Sequence, residues 1–375
     1  MHFSHSLRGI LLAPLLVATV NAAAARPMQT ATISLPAINL PGGSVALDSA
    51  QLAYTLPDPL FHTTSNDARF SAFVNGVFLV QLHTVGTRTT PSVARLLVTG
   101  PRGATITLWS LRNHWLVYSQ YNGGDLSQPW TLNARNVATG KTTVLDTPAQ
   151  EGVPSLVAMA SSDGHTVVWQ SYARTQGATV SIIRSLDLTS GQRRIVAEGG
   201  APHTWAYAWP SVSGRQIVFD KETPNQNNSH AQIFLYDLDT RVTRTLTGAN
   251  GANSEPSISG DLIVWKQGWR YVAGRGITVY NLRTQTRTSI AAGGIEQPRA
   301  TAGRYVIFPT NLPDRVKLYD AQVGTTTTLA RPLPDGYAPG NIVVAGGTAV
   351  GYILSTFITS AATPHPVRLV VSLLQ

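Results

Sequence analysis

Pro256-Ser-Ile-Ser-Gly260-Asp-Leu-Ile-Val-Trp265, followed by Ile277-Thr-Val-Tyr280-Asn-Leu-Arg-Thr-Gln-Thr-Arg287-Thr, is the stretch on which the rest of the chain is patterned. It holds a short Ser/Ile segment, a glycine turn, an apolar run ending in an aromatic, a polar loop, an alternating run and a Thr/Arg run. Runs of this length and residue type, broken by turn formers, predict four short antiparallel strands in series.

The same unit recurs on both sides. Aligning the aromatic that ends the second strand gives Tyr118, Trp169, Phe219, Trp265, Phe308 and Tyr352, at intervals of 51, 50, 46, 43 and 44 residues. That is the period of a β-propeller blade. The third strand recurs as Leu186-Asp187, Tyr236-Asp237, Tyr280-Asn281 and Tyr319-Asp320. An Asp or Asn there favours a tight turn into the fourth strand by binding its own backbone. Four units open on proline, at Pro154, Pro210, Pro256 and Pro298, and their first strands carry small or hydroxyl residues such as Ser211, Ser213, Ser257 and Ser259, which suit the crowded wall of a channel. Upstream of Tyr118 the pattern is worn, and residues 44 to about 103 read as one expanded unit. The expected architecture is all-β: a propeller of four-stranded antiparallel blades, seven in number, with six or eight as the alternatives. The last unit ends without a fourth strand, and Thr30-Ala-Thr-Ile-Ser-Leu35 alternates correctly to supply it, so an N-terminal strand is expected to close the ring and remove the free edge.

Composition agrees with this. Of 375 residues 43% are hydrophobic and 13% charged, and no helical period is sustained beyond the N-terminus. Residues 1–25 read as a secretory signal peptide: His2, His5 and Arg8, then an apolar run from Gly9 to Val20, then small residues to Ala25. Residues 26–43 would hold the closing strand and 44–375 the propeller, as one domain. No later apolar run is long enough to span a bilayer, so a secreted or periplasmic monomer without an integral membrane segment is expected. The absence of cysteine excludes disulfides, thiol catalysis and cysteine-based metal sites. The net charge of +9 does not point to nucleic acid. Lys141, Arg193, Arg194, Arg244 and Arg287 recur at the fourth strand, where cations on an outer edge discourage edge-to-edge pairing.

Loops after the second and fourth strands of a blade leave one face, and they are the long ones here: Gln120 to Trp130, Asp220 to Ala231, Lys266 to Gly276 and Gly199 to Pro210. Long loops on a rigid scaffold are where function usually sits. The ligand-binding candidates on this face are His203, Trp205, Tyr207, Trp269, Arg270, Tyr271, Trp130 and Tyr172, an aromatic and cationic set suited to stacking on sugar rings or anchoring a protein. The alternative is that these aromatics are ordinary core between blades; Trp209, just before Pro210, fits that description too. The signatures G-x-S-x-G, H-E-x-x-H and the EF-hand loop are absent. Glu222 and Glu255 show no partner in the sequence. No catalytic residue, metal or cofactor is assigned, and the scattered histidines leave a metal site over the channel open.

Ser162-Asp-Gly-His-Thr-Val-Val-Trp169, Ser213-Gly-Arg-Gln-Ile-Val-Phe219 with Ile233-Phe-Leu-Tyr-Asp-Leu238, and Ser259-Gly-Asp-Leu-Ile-Val-Trp265 resemble TolB-type β-propeller repeats across residues 104–354. Only Ser162-Asp163-Gly164 keeps the family's turn, and the α/β domain that precedes the propeller in TolB has no counterpart here. The resemblance implies a protein- or glycan-binding module at the cell envelope. Similar propellers in oligogalacturonate lyases imply the alternative, a polysaccharide-active enzyme with a site over the channel.

Overall fold

The computed structural model describes residues 29–35, 45–48, 51–57, 74–85, 88–91, 95–99, 104–122, 130–147, 159–175, 178–199, 207–223, 230–249, 251–268, 274–295, 297–310, 316–329, 337–346, 349–356 and 367–373. The expected leader, residues 1–25, lies outside them. Every regular element among the described residues is a β-strand. After β1 (Gln29–Leu35), one sheet holds β2 (Val45–Asp48), β3 (Gln51–Pro57), β4 (Val74–Val85), β5 (Arg88–Pro91) and β6 (Arg95–Thr99), with both β5 and β6 on β4.

Five sheets of four consecutive antiparallel strands follow. They are β7 (Ala104–Arg112), β8 (Trp115–Asn122), β9 (Trp130–Asn136) and β10 (Thr142–Asp146); β11 (Ala160–Ser162), β12 (Thr166–Thr175), β13 (Ala178–Asp187) and β14 (Arg193–Gly199); β15 (Tyr207–Ser213), β16 (Gln216–Thr223), β17 (His230–Asp237) and β18 (Thr243–Thr245); β19 (Asn253–Ser259), β20 (Leu262–Gln267), β21 (Gly274–Asn281) and β22 (Arg287–Ile295); and β23 (Arg299–Thr301), β24 (Tyr305–Pro309), β25 (Val316–Asp320) and β26 (Thr325–Thr328). The last sheet takes β27 (Tyr337–Gly346), β28 (Ala349–Thr356) and β29 (Val367–Leu373), with β1 antiparallel to β29 from Gln29 opposite Leu373 to Leu35 opposite Val367.

The hydrophobic effect holds consecutive sheets face to face. Val168, Ile183 and Val196 of one sheet pack with Val212, Ile217, Phe219 and Tyr236 of the next, and Val218, Ile233 and Leu235 pack with Ile258, Ile263, Trp265 and Tyr280 of the one after. A second strand is therefore buried on both sides, which is why it reads as a continuous apolar run and not as an alternation. The aromatics at its end are sealed, with Trp169, Phe219 and Phe308 at 0% exposure and Trp265 at 1%. Each contributes about 2–3 kcal/mol by burial.

The first strands pack on one another in sequence: β7 on β11, β11 on β15, β15 on β19, β19 on β23, and β2 on both β7 and β27. Their serines do more than save space. Ser211 Oγ accepts from Ile258 N at 3.2 Å, Ser257 Oγ from Ala300 N at 3.1 Å, Ser213 Oγ from Gly260 N at 2.9 Å and Ser259 Oγ from Gly303 N at 3.0 Å. Asp163 and Asp48 do the same for Gly214 N and Asn113 N, each at 2.8 Å. Each first strand thus fixes the height of the next.

At the opposite, outer edge Lys141, Arg193, Arg244 and Arg287 are exposed, as an edge-protecting role expects, and Arg194 is half-buried, donating to Leu238 O at 2.6 Å. Arg193 also reaches the preceding sheet, donating to Leu145 O at 2.7 Å and Val144 O at 3.1 Å, and lies 6.0 Å from the Trp169 ring centroid. Arg287 repeats the device on Leu246 O, over Trp265 and Tyr280. These two arginines clamp neighbouring sheets, a role that the sequence alone does not distinguish from solvation.

Candidate functional site

One edge of the sheets is closed by compact turns. Asn136, Asp187, Asp237 and Asn281 each accept two backbone N–H groups from the turn that follows, at 2.8–3.0 Å. Backbone N–H groups of Ser190 and Thr240, respectively the foremost causes, hold the Asp187 and Asp237 carboxyls below the usual carboxylate range. Burial pushes Asp320 up, but the Arg304 guanidinium and the Gln322 N–H outweigh it and leave that carboxyl lowered as well. The αL position of this turn is glycine at Gly140, Gly191 and Gly324, as its positive φ favours, but Arg241 and Gln285 hold it in the other two.

At the other edge the second strands end and the first strands begin, and here polar groups are buried. The residue directly after the sealing aromatic is Ser119, Gln170, Asp220 and Lys266 in successive sheets, and all four are 0% exposed. The chain enters the first strands of three successive sheets through Trp209-Pro210, Glu255-Pro256 and Gln297-Pro298, and Trp209, Glu255 and Gln297 have φ of 52°, 57° and 41°. Side chains other than glycine rarely adopt that region, and it recurs where the surroundings over-determine it.

The surroundings here are ionic. Lys266 Nζ donates to Glu255 Oε1 at 2.7 Å, with the two side chains only 1% and 2% exposed. Glu255 N donates to Asp220 Oδ2 at 3.0 Å, and Glu255 Oε2 accepts from Gln297 N at 3.2 Å. Asp220, Glu255 and Gln297 belong to three consecutive sheets, so this network ties them at one level. Arg299 stands beside it: burial draws its pKa below the ordinary arginine range, with Glu255 offsetting part of the effect. Glu255, without a partner in the sequence reading, is the hub of the network.

Of the eight predicted site residues, His203, Trp205, Trp269, Arg270 and Tyr271 lie outside the described residues. Trp130 is 6% exposed and packs with Val117, Leu132, Val167 and Trp169 in the core between two sheets. Tyr172 and Tyr207 are half-buried and are brought together by Gln170, whose Nε2 donates to Tyr172 Oη at 2.6 Å and to Tyr207 O at 2.8 Å. Lys221 lies 5.3 Å from the Tyr207 ring centroid. Asp220, Lys266 and Arg299 were missed by sequence reasoning. For Asp220 and Lys266 a signal was present: a polar residue directly after the aromatic that ends a strand buried on both faces. Among the described residues, no three His, Asp or Glu come together as a metal-binding group, and no helix is long and apolar enough to cross a membrane.

Neither a protein-family model nor a curated protein sequence matches the chain. Solved structures do resemble it. The β-propeller domain of the Trilobed protease from Pyrococcus furiosus aligns over 88% of this chain and 94% of its own with a TM-score of 0.55 at 11% identity. The fold is that of a β-propeller. An oligogalacturonate lyase in complex with manganese covers 80% of this chain and 83% of its own, at 13% identity and TM-score 0.49. TolB from Acinetobacter baumannii covers 71% and 79%, at 12% identity and TM-score 0.39. At 11% identity the propeller domain of the Trilobed protease speaks to the fold alone and leaves function to the site.

Proposed function

We propose that the chain is a secreted or periplasmic, monomeric TolB-like propeller of seven blades, closed by β1, that binds a protein or glycan of the cell envelope. In this reading residues 1–25 are a leader, 26–43 carry the closing strand, and binding is by the face that bears the long connections, without nucleic acid or cofactor. Support for seven blades and closure comes from the seven sheets among the described residues, from the packing of successive first strands, which returns from β27 to β2, and from the pairing of β1 with β29.

The observation that carries the binding reading is the inequality of the two faces. On one, the described turns after the third strands close on themselves through an Asp or Asn, and those after the first strands span only two or three residues. On the other, connections of six or seven residues, 123–129, 200–206, 224–229 and 268–273, join consecutive strands, and the strand ends there are braced by the Asp220–Glu255–Lys266 network. Glu255 and Asp220 are engaged as acceptors in that network, which favours a rigid platform over proton transfer. The test is capture of envelope proteins and glycans by the immobilised chain, with and without Trp205→Ala plus Trp269→Ala. Loss of capture with an unchanged circular dichroism spectrum is expected. Undiminished capture by the double variant removes this reading.

A further inference from the structure

Arg299 of β23 lies with its guanidinium carbon 5.9 Å from the ring centroid of Trp209, a residue of β15. Their two sheets are not neighbours; the sheet of β19–β22 stands between them. Side chains from sheets that are not neighbours can meet only where the sheets converge, and Glu255 of the intervening β19 is close enough to act on Arg299. Trp209 is buried, at 8% exposure, and Arg299 is half-buried.

Two further facts bear on what that guanidinium faces. A guanidinium offers five N–H donors in a rigid fork, and the protein acceptor beside this one is Gln297 Oε1, 3.4 Å from Nη2. The positive charge of Lys266 is already engaged by Glu255 at 2.7 Å, and the Glu255 carboxylate stands near Arg299. A planar carboxylate matches the fork in shape and charge.

We propose that Arg299, stacked on Trp209 and flanked by Gln297, is a carboxylate-binding site at the long-loop mouth of the axial channel. The proposal deepens the binding reading above and rests on it. The indole fixes the plane of the fork, so a ligand carboxylate meets donors that are already oriented and loses little entropy in engaging them.

The experiment uses the full chain and two matched pairs of small probes: glucuronate with its methyl ester, and an N-acetyl dipeptide acid with its amide. Binding is read by calorimetry and by tryptophan fluorescence. The expected result is binding of the acid and not of its neutral mate in at least one pair, and the pair that responds separates a sugar source from a peptide source. Arg299→Lys should weaken that binding about tenfold or more, because an ammonium cannot reproduce the fork. Gln297→Glu, which sets a carboxylate of the chain's own beside the fork, should abolish it with the thermal midpoint unchanged. Equal binding of acid and neutral probe, binding of no probe, or acid binding unchanged in both variants overturns the proposal. Failure here together with intact Trp205- and Trp269-dependent capture sinks the carboxylate site alone; loss of that capture as well sinks the binding reading beneath it.

Discussion

Replacing Lys266 by Met removes the cation from a carboxylate that is 2% exposed and leaves Glu255 without its 2.7 Å donor. Breaking a buried pair from one side costs about 3–5 kcal/mol, because the remaining charge stays desolvated. That is a large share of the roughly 5–15 kcal/mol that holds a domain together. Glu255→Gln should cost a similar amount by stranding the ammonium of Lys266, which is 1% exposed. The double variant is different: with both charges gone, the amide oxygen introduced by Glu255→Gln would still accept from Gln297 N, and a Met stem fills much of the Lys volume, so the loss should fall to about 1–2 kcal/mol. Urea denaturation of the four proteins at pH 7, analysed as a double-mutant cycle, measures this, and a coupling of at least about 4 kcal/mol is expected from these magnitudes. Single losses under about 0.5 kcal/mol, or a double loss equal to the sum of the singles, would show that the pair does not hold the first strands together.

The turns give two further expectations. A methyl added at Gly164 (φ +91°) would meet Asn113 Cβ at 2.5 Å and Arg112 O at 3.0 Å, in the preceding sheet, whereas one added at Gly191 (φ +73°) meets nothing within 4 Å. Gly164→Ala should therefore destabilise by several times the approximately 1 kcal/mol expected for Gly191→Ala, and equal thermal midpoints would contradict the close approach of those two sheets. For the lowered carboxyls of Asp187, Asp237 and Asp320 the unfolded chain binds protons more readily than the folded one. Their contribution is complete above the unfolded value of about 3.9 and is lost as pH falls through the lower folded values. Thermal stability should hold from neutrality to about pH 4 and drop below it, and Asp187→Asn, which keeps the turn acceptor as Asn136 and Asn281 do, should blunt the drop; an identical acid profile would exclude Asp187 as a contributor.

The repeat was legible because packing on both sides of each second strand imposes an unbroken apolar run, and because a tight turn selects Asp or Asn at the end of each third strand. Trp169, Phe219, Trp265 and Asp187, Asp237, Asn281 sit where their spacing puts them. The inner serines were legible as small but not as acceptors, since a bond from Ser257 to Ala300 N depends on the relative height of two sheets, which no local pattern encodes. The cross-sheet bonds of Arg193 and Arg287 were not legible for a related reason: an exposed outer-strand arginine that reaches Leu145 O or Leu246 O carries the same local sequence as one that makes no such bond. At the mouth, reading along the chain favoured aromatics such as Trp130, which the structure buries in core. It passed over Lys266 and Arg299, whose partners Glu255 and Trp209 lie respectively 11 and 90 positions away.

The ring is the claim on which the rest stands, and its closing pair can be trapped directly. The chain has no cysteine, so Thr32→Cys with Val370→Cys, opposite one another in the β1–β29 register, introduces a single possible disulfide. Mild oxidation followed by intact mass measurement and non-reducing electrophoresis should show a monomer two hydrogens lighter, with more compact mobility than its reduced form. Free thiols in the folded chain, or dimers in place of the internal bridge, would mean that β1 does not complete the last sheet and that the ring is not closed in this way.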